Sequence, residues 1–151
     1  MADIVSAKTR SRMMAGIKGK DTKPEMVIRS ALHKANFRYR LHNRRLPGKP
    51  DLVFRKWRAV LFVHGCFWHG HDCHLFKMPK TRTGFWKDKI AGNVARDQKA
   101  VVELLYDGWR VGIVWECALK GKTRRPLADI VSELTRWLKG EERQIEIRGT
   151  T

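Results

Sequence analysis

The chain has 151 residues, enough for one hydrophobic core and too few for two ordinary domains, so a single domain over 1–151 is expected. Its 32 lysines and arginines outweigh 15 acidic residues, for a formal charge of +17, and such an excess calls for a polyanion, nucleic acid first. With 42% hydrophobic residues and six tryptophans there is a real core, which excludes a disordered basic tail; no basic amphipathic helix with a continuous apolar face stands out, so an anionic membrane is the weaker partner. No apolar run reaches about 18 residues, and the start, Met-Ala-Asp-Ile-Val-Ser, lacks the regions of a signal peptide, which predicts a cytoplasmic protein. An odd cysteine count argues against a disulfide framework and leaves metal ligation or plain burial for Cys66, Cys73 and Cys117.

In chain order, Arg10 to Ile17 predicts a short basic helix, bounded at about residues 9–19, with Met13, Met14 and Ile17 on one side. Thr22-Lys-Pro-Glu25 reads as a capping box, the Thr22 hydroxyl covering the Glu25 amide and the Glu25 carboxylate reaching back. The helix that follows carries Met26, Val27, Ala31, Leu32 and Ala35 at helical spacing and stops at Asn36. Phe37 to Leu41 alternates apolar residues with arginine, as an edge strand does, and Pro47-Gly48 turns the chain. Asp51 to Phe54 and Ala59 to Val63 are apolar runs around the charged Arg55-Lys-Trp-Arg58, the pattern of a hairpin whose second member is a central strand. Phe85 to Leu105 predicts a long helix ending before Gly108, Trp109 to Trp115 a strand, and Pro126 to Leu138 a last amphipathic helix. The order of elements indicates an α/β or α+β architecture with a mixed sheet.

The stretch from His64 to His74 holds four of the six histidines and two of the three cysteines. Cys66, His71, Cys73 and the distant Cys117 have the donors of a tetrahedral Cys₃His zinc site, since Cys117 follows a strand that can return beside the loop. Burial of Cys117 as a free thiol, and ligation by His69 or His74 instead, stay open at this point. Asp51 starts one strand of the hairpin and His64 ends the other, so both stand at the same edge of the sheet, with Glu25 brought in from the capped helix. A carboxylate at a strand tip suits Mg²⁺, and an adjacent imidazole suits water activation or a phosphate oxygen, which together favour phosphodiester hydrolysis over structural roles. Phe67, Trp68 and Trp86 are either core or apolar wedges for a base step; two adjacent aromatics inside a polar loop favour exposure.

Four blocks, Leu46-Pro-Gly-Lys-Pro-Asp51, Phe62-Val-His-Gly-Cys-Phe-Trp-His69, Thr81-Arg-Thr-Gly-Phe-Trp86 and Trp109-Arg-Val-Gly-Ile-Val-Trp-Glu-Cys117, resemble the very-short-patch repair (Vsr) mismatch endonucleases over nearly the whole chain. The resemblance implies a restriction-endonuclease-like PD-(D/E)xK core in which a Phe-x-His pattern replaces the second carboxylate and the lysine. It also implies an enzyme that nicks one strand of duplex DNA on the 5′ side of the thymine in a T·G mispair. By position, Asp51 and the backbone carbonyl of Val63 would bind Mg²⁺, His64 and His69 would serve hydrolysis, and Glu25 would act through water. Cys66, His71, Cys73 and Cys117 match structural zinc ligands; Phe67, Trp68 and Trp86 match aromatics that enter the DNA beside the mispair; Lys89 and Asn93 match residues that approach the mispaired bases; Met14 and Ile17 match a minor-groove element. The chain departs from the pattern at Val63, where a threonine is familiar, and at Gly70, which interrupts a histidine run. A monomer is expected, because a single-strand nick needs one active site. Two rival readings remain at this stage: a zinc-stabilised module that binds deformed duplex without cutting, and a restriction-type endonuclease for fully paired sites. Repair-pathway partners are not legible, and His74 has no role assigned.

Overall fold

The computed structural model describes residues 22–150. The expected basic helix, with Met14 and Ile17, lies outside the described residues. The elements are α1 (Lys23–Lys34), β1 (Arg40–Leu41), β2 (Leu52–Phe54), β3 (Ala59–His64), α2 (Thr83–Tyr106), β4 (Arg110–Trp115), α3 (Leu127–Lys139) and β5 (Gln144–Ile147). They form a mixed α/β structure on one five-stranded sheet of order β1-β2-β3-β4-β5. β1, β2 and β3 pair antiparallel, and β4 and β5 continue the sheet in parallel with β3.

α1 begins where the Thr22 hydroxyl accepts the Glu25 amide, at 3.4 Å. It ends at Asn36, whose φ of 72° permits the left-handed turn that stops a helix. The Phe37 amide reaches back to the Leu32 carbonyl and the Asn36 amide to that of His33, both at 3.0 Å. That closure corrects the expected edge strand over Phe37 to Leu41. Phe37 is still fastened to the helix end and packs in the core beside Phe54 and Trp57, so pairing starts only at Arg40.

The hairpin follows the expectation, with a turn through a short 3₁₀ segment, Arg55–Trp57, and a left-handed Arg58. β3 is buried along its whole length, as a central strand with helices on both faces must be. Its side chains alternate: Ala59, Leu61 and Val63 pack with Ile28 and Leu32 of α1 and Ile130 and Leu134 of α3, while Val60 and Phe62 pack with Leu104 of α2. His64 continues the Phe62 side, its ring centroid 5.3 Å from that of Phe62. Gly48, at φ 73°, passes so close to α2 that a Cβ there would stand 2.7 Å from the Ala100 Cβ. β5 was not anticipated from the sequence. It is an edge strand of four residues in which only Ile147 is buried, too short for alternation to register. Among the described residues no helix is long and apolar enough to cross a membrane.

Candidate active site

Asp51 precedes β2 and faces the end of β3, where its Oδ2 accepts the Val63 amide at 2.7 Å. The β1–β2 register, Leu41 opposite Leu52, brings the next residue, His42, opposite Asp51, and the His42 amide donates to the Asp51 carbonyl at 3.0 Å. The His42 ring then meets Glu25: Nε2 lies 2.6 Å from Oε2, an oxygen that also accepts Arg29 at 3.0 Å. Glu25, only 1% exposed, is thus a buried carboxylate tethered from two sides. One ligand atom each from Glu25, His42 and Asp51 fall within 4.8 Å of one another. Burial pushes the Asp51 carboxyl up to about 7, against the Val63 amide and with the nearby charge of Glu25 adding to the rise. Two carboxylates packed this closely, one of them hard to ionise alone, are the donor set of a hard divalent cation, so these residues fit one.

On the other side of β3, the rings of His64 and His69 stack, with centroids 3.7 Å apart and planes 4° from parallel. His69 Nδ1 meets Asp97 Oδ2 of α2 at 2.5 Å, leaving the opposite ring nitrogen for another partner. Burial, then the adjacent His69, hold His64 well below the ordinary histidine range, so it stays a neutral imidazole at neutral pH. Its Nδ1 is buried without a hydrogen-bond partner among the described residues.

The loop after β3 folds over the carboxyl end of β4. His71 Nδ1 stands 3.5 Å from Cys66 Sγ and 3.6 Å from Cys117 Sγ, and Cys73 Sγ completes a group whose ligand atoms all lie within 4.8 Å. Metal–sulfur and metal–nitrogen bonds of about 2.3 and 2.0 Å at a tetrahedral angle would set sulfur and nitrogen about 3.6 Å apart. The two nitrogen–sulfur separations match those around a tetrahedral ion, and the four donors together suit one. Burial raises the Cys66 and Cys117 thiols, with the neighbouring thiols adding to the rise, as clustered soft donors do without a cation between them. The surroundings hold the donors in place: Trp115 stacks on His71 at 3.9 Å, the Cys66 amide donates to Glu116 at 3.1 Å, and the Gly149 amide donates to Cys117 Sγ at 3.3 Å. His69 and His74 stand outside this group. His74 packs on Gly121, where a Cβ would come within 2.7 Å of its Nε2, and both its ring nitrogens are buried without partners among the described residues.

The same loop carries Phe67 and Trp68, which meet Trp86 at centroid distances of 5.5 and 5.7 Å and each other at 5.2 Å. The three are half-buried against one another rather than freely exposed. Asn93 donates to the Trp68 carbonyl at 2.9 Å and accepts Arg96 on its other side, so it fixes the loop; Lys89 stands one turn before it on α2. The aromatics line an open cleft of about 1210 Å³ together with Glu25, His42, Asp51, His64 and His69.

Two residues of this cleft, His42 and Asp97, escaped the sequence reading. The signal for His42 was the hairpin register, since any residue following a strand paired with Leu52 falls opposite Asp51. The signal for Asp97 was its place four residues after Asn93, one turn along the helix face already assigned to the site.

A carboxylate cluster and an imidazole pair at the rim of a mixed sheet, under an open cleft on a strongly basic chain, define a DNA endonuclease. The family profile described as DNA mismatch endonuclease Vsr matches residues 2–75. Similar over its length is the DNA mismatch endonuclease Vsr of Escherichia coli, 44% identical across 99% of this chain and 97% of the relative. Type II nicking enzymes of Xanthomonas oryzae pv. oryzae (49% identical, 79% of this chain, 88% of the relative) and Neisseria meningitidis (45%, 89% and 97%) are similar too. The chain belongs to the Vsr family of DNA mismatch endonucleases.

Proposed function

We propose that residues 1–151 form one monomeric endonuclease domain, with a PD-(D/E)xK-like core, that nicks one strand of duplex DNA 5′ to the thymine of a T·G mispair, using Mg²⁺ for catalysis and Zn²⁺ for structure. The observation that carries this reading is the convergence of Asp51, Glu25, His64 and the His69–Asp97 pair on one cleft whose wall is the aromatic cluster. Asp51 and the Val63 carbonyl would hold the hard cation, with Glu25 beside them. When bound, that ion neutralises phosphate charge and makes water more acidic.

The remaining work falls to the chain's own groups. Asp97 engages His69 Nδ1 and so presents the other ring nitrogen for proton transfer, as well as stabilising the imidazolium that forms. His64, kept neutral by burial, is an N–H donor suited to a phosphate oxygen. The Cys₃His group holds the loop, and with it Phe67 and Trp68, at the edge of the cleft. An aromatic cluster that enters a base step pays an unstacking cost of a few kcal/mol, least at a mispair, which supports mismatch selectivity. Lys89 and Asn93 on the adjoining helix face would approach the mispaired bases, with Met14 and Ile17 reaching the minor groove.

The test is nicking of duplexes carrying every mispair, in several sequence contexts, with and without Mg²⁺. Mg²⁺-dependent nicking that is strongest at T·G is expected. Equal cutting of fully paired DNA would mark a restriction-type enzyme, and binding without a nick at any mispair would mark a non-cleaving module. His69→Ala should slow nicking about 10² to 10⁴-fold.

A further inference from the structure

We propose that a recess beside β1, lined by Arg40, Leu41, Asn43, Arg44, Arg45 and Arg55, is a second phosphate site that grips the substrate strand on the side of the cut away from the mispair. The inference rests on the endonuclease reading for the identity of its polyanion. Four arginines line a concavity of about 470 Å³, and among the described residues no carboxylate lines it. Such a concentration of like charge is self-repelling until an anion enters, and the planar fork of arginine matches phosphate oxygens pairwise.

The recess is built rather than incidental. Arg40 comes from the edge strand and Arg55 from the hairpin turn, while Arg44 and Arg45 ride a loop pinned at three points. The His42 amide donates to the Asp51 carbonyl at 3.0 Å, the Arg45 amide to Asn43 Oδ1 at 2.8 Å, and the Lys49 amide to the Leu46 carbonyl at 3.1 Å. Arg44 also lines the cleft that holds Asp51 and His69, so recess and active site share a wall.

Sheet order gives the direction. Asp51 leads into β2; Arg40 lies in β1 and Arg44 and Arg45 just after it, on one side of Asp51, and the aromatic loop follows β3 on the other. A strand laid across Asp51 with its mispaired end at the aromatics therefore runs out toward the arginines. Neighbouring β-strands stand about 4.8 Å apart, and a DNA strand advances about 3.4 Å per nucleotide. The phosphate held in the recess then lies within about one to three nucleotides of the one over Asp51.

The experiment is fluorescence anisotropy of uncleaved T·G duplexes without divalent metal, over a KCl series, comparing the wild-type chain with the double variant Arg44→Gln, Arg45→Gln. The log–log salt slope should fall in magnitude by about 0.9 for each phosphate that the variant no longer neutralises, between about 1 and 2 for the pair. Trimming the duplex on the side of the nick away from the mispair should weaken the wild type and leave the variant unaffected, whereas trimming on the mispair side should weaken both alike. The charge-conserving Arg44→Lys, Arg45→Lys variant should keep most of the slope, which separates phosphate binding from a folding defect. Coincident slopes and trimming profiles for wild type and glutamine variant overturn the proposal and leave the recess to another anion, such as an acidic protein segment. Since the readout is binding, absence of a T·G preference in nicking would defeat the functional reading without touching this measurement. Coincident slopes in a protein that still nicks T·G defeat only the recess.

Discussion

The cysteine cage and the carboxylate cleft draw on the same histidine-rich stretch from His64 to His74, yet burial and company give them opposite character. In the cage His71 is 5% exposed, with Trp115 stacked on its ring and two sulfurs beside its Nδ1, and the four donor atoms lie within 4.8 Å of one another. In the cleft His69 has Nδ1 tied to Asp97, and both His69 and Asp51 line open space. Two imidazoles two residues apart thus keep different company, sulfur around His71 and a carboxylate beside His69.

Substitutions sharpen that division. Asp51→Ala should cost nicking about 10³-fold or more while T·G duplex binding and the metal content of the cage stay unchanged. A fall in cage metal would erase the boundary between the regions. Cys73→Ala should do the reverse, lowering thermal stability by several kcal/mol along with the loss of about one metal equivalent per chain by elemental analysis. Unaltered metal content in that variant would break the ligand set.

A further difference concerns pH. In metal-free protein, burial lifts Asp51 from its ordinary 3.8 to about 7, so the folded chain holds this proton more tightly than the unfolded one. Stability from this group is present below about pH 4 and is lost as the pH rises to about 7. Asp51→Asn should accordingly raise the melting temperature of metal-free protein at pH 8, by an amount worth a few kcal/mol at most, and change little at pH 4. An equal shift at both pH values would show that the carboxylate is not strained by its site. Smaller still, His42→Ala should reduce nicking about 10 to 10²-fold by loosening Glu25, and His42→Gln, which keeps a donor there, should restore part of it. Full activity in His42→Ala would remove His42 from the site.

The sequence carried the cage and the core of the cleft because both rest on rules that survive folding. Antiparallel pairing of two apolar runs had to bring Asp51 and His64 to one edge, and a strand after α2 had to return Cys117 toward the loop. What escaped depends on register and tertiary contact. His42 matters only because Leu41 pairs with Leu52, and Asp97 reads as one more charge on a helix until His69 stands beside it. The stretch from Phe37 read as strand because its alternation is real; the closure onto Leu32 outweighs it. β5 escaped because its position comes from β4, with Val111 opposite Gln144, rather than from its own four residues.

One pairing in the cage reaches further than its few ångströms. His71 and Cys117 are 46 residues apart, and the chain between them contains all of α2 and all of β4. A metal held by both would act on the unfolded chain as a cross-link, removing about 3 kcal/mol of loop-closure entropy. Unlike a sulfur–sulfur bond, such a coordination link joins sulfurs that are already reduced and is not cleaved by accepting electrons from a thiol. It would give the chain the constraint of a disulfide without a sulfur–sulfur bond, released by a chelator or by oxidation of its cysteines.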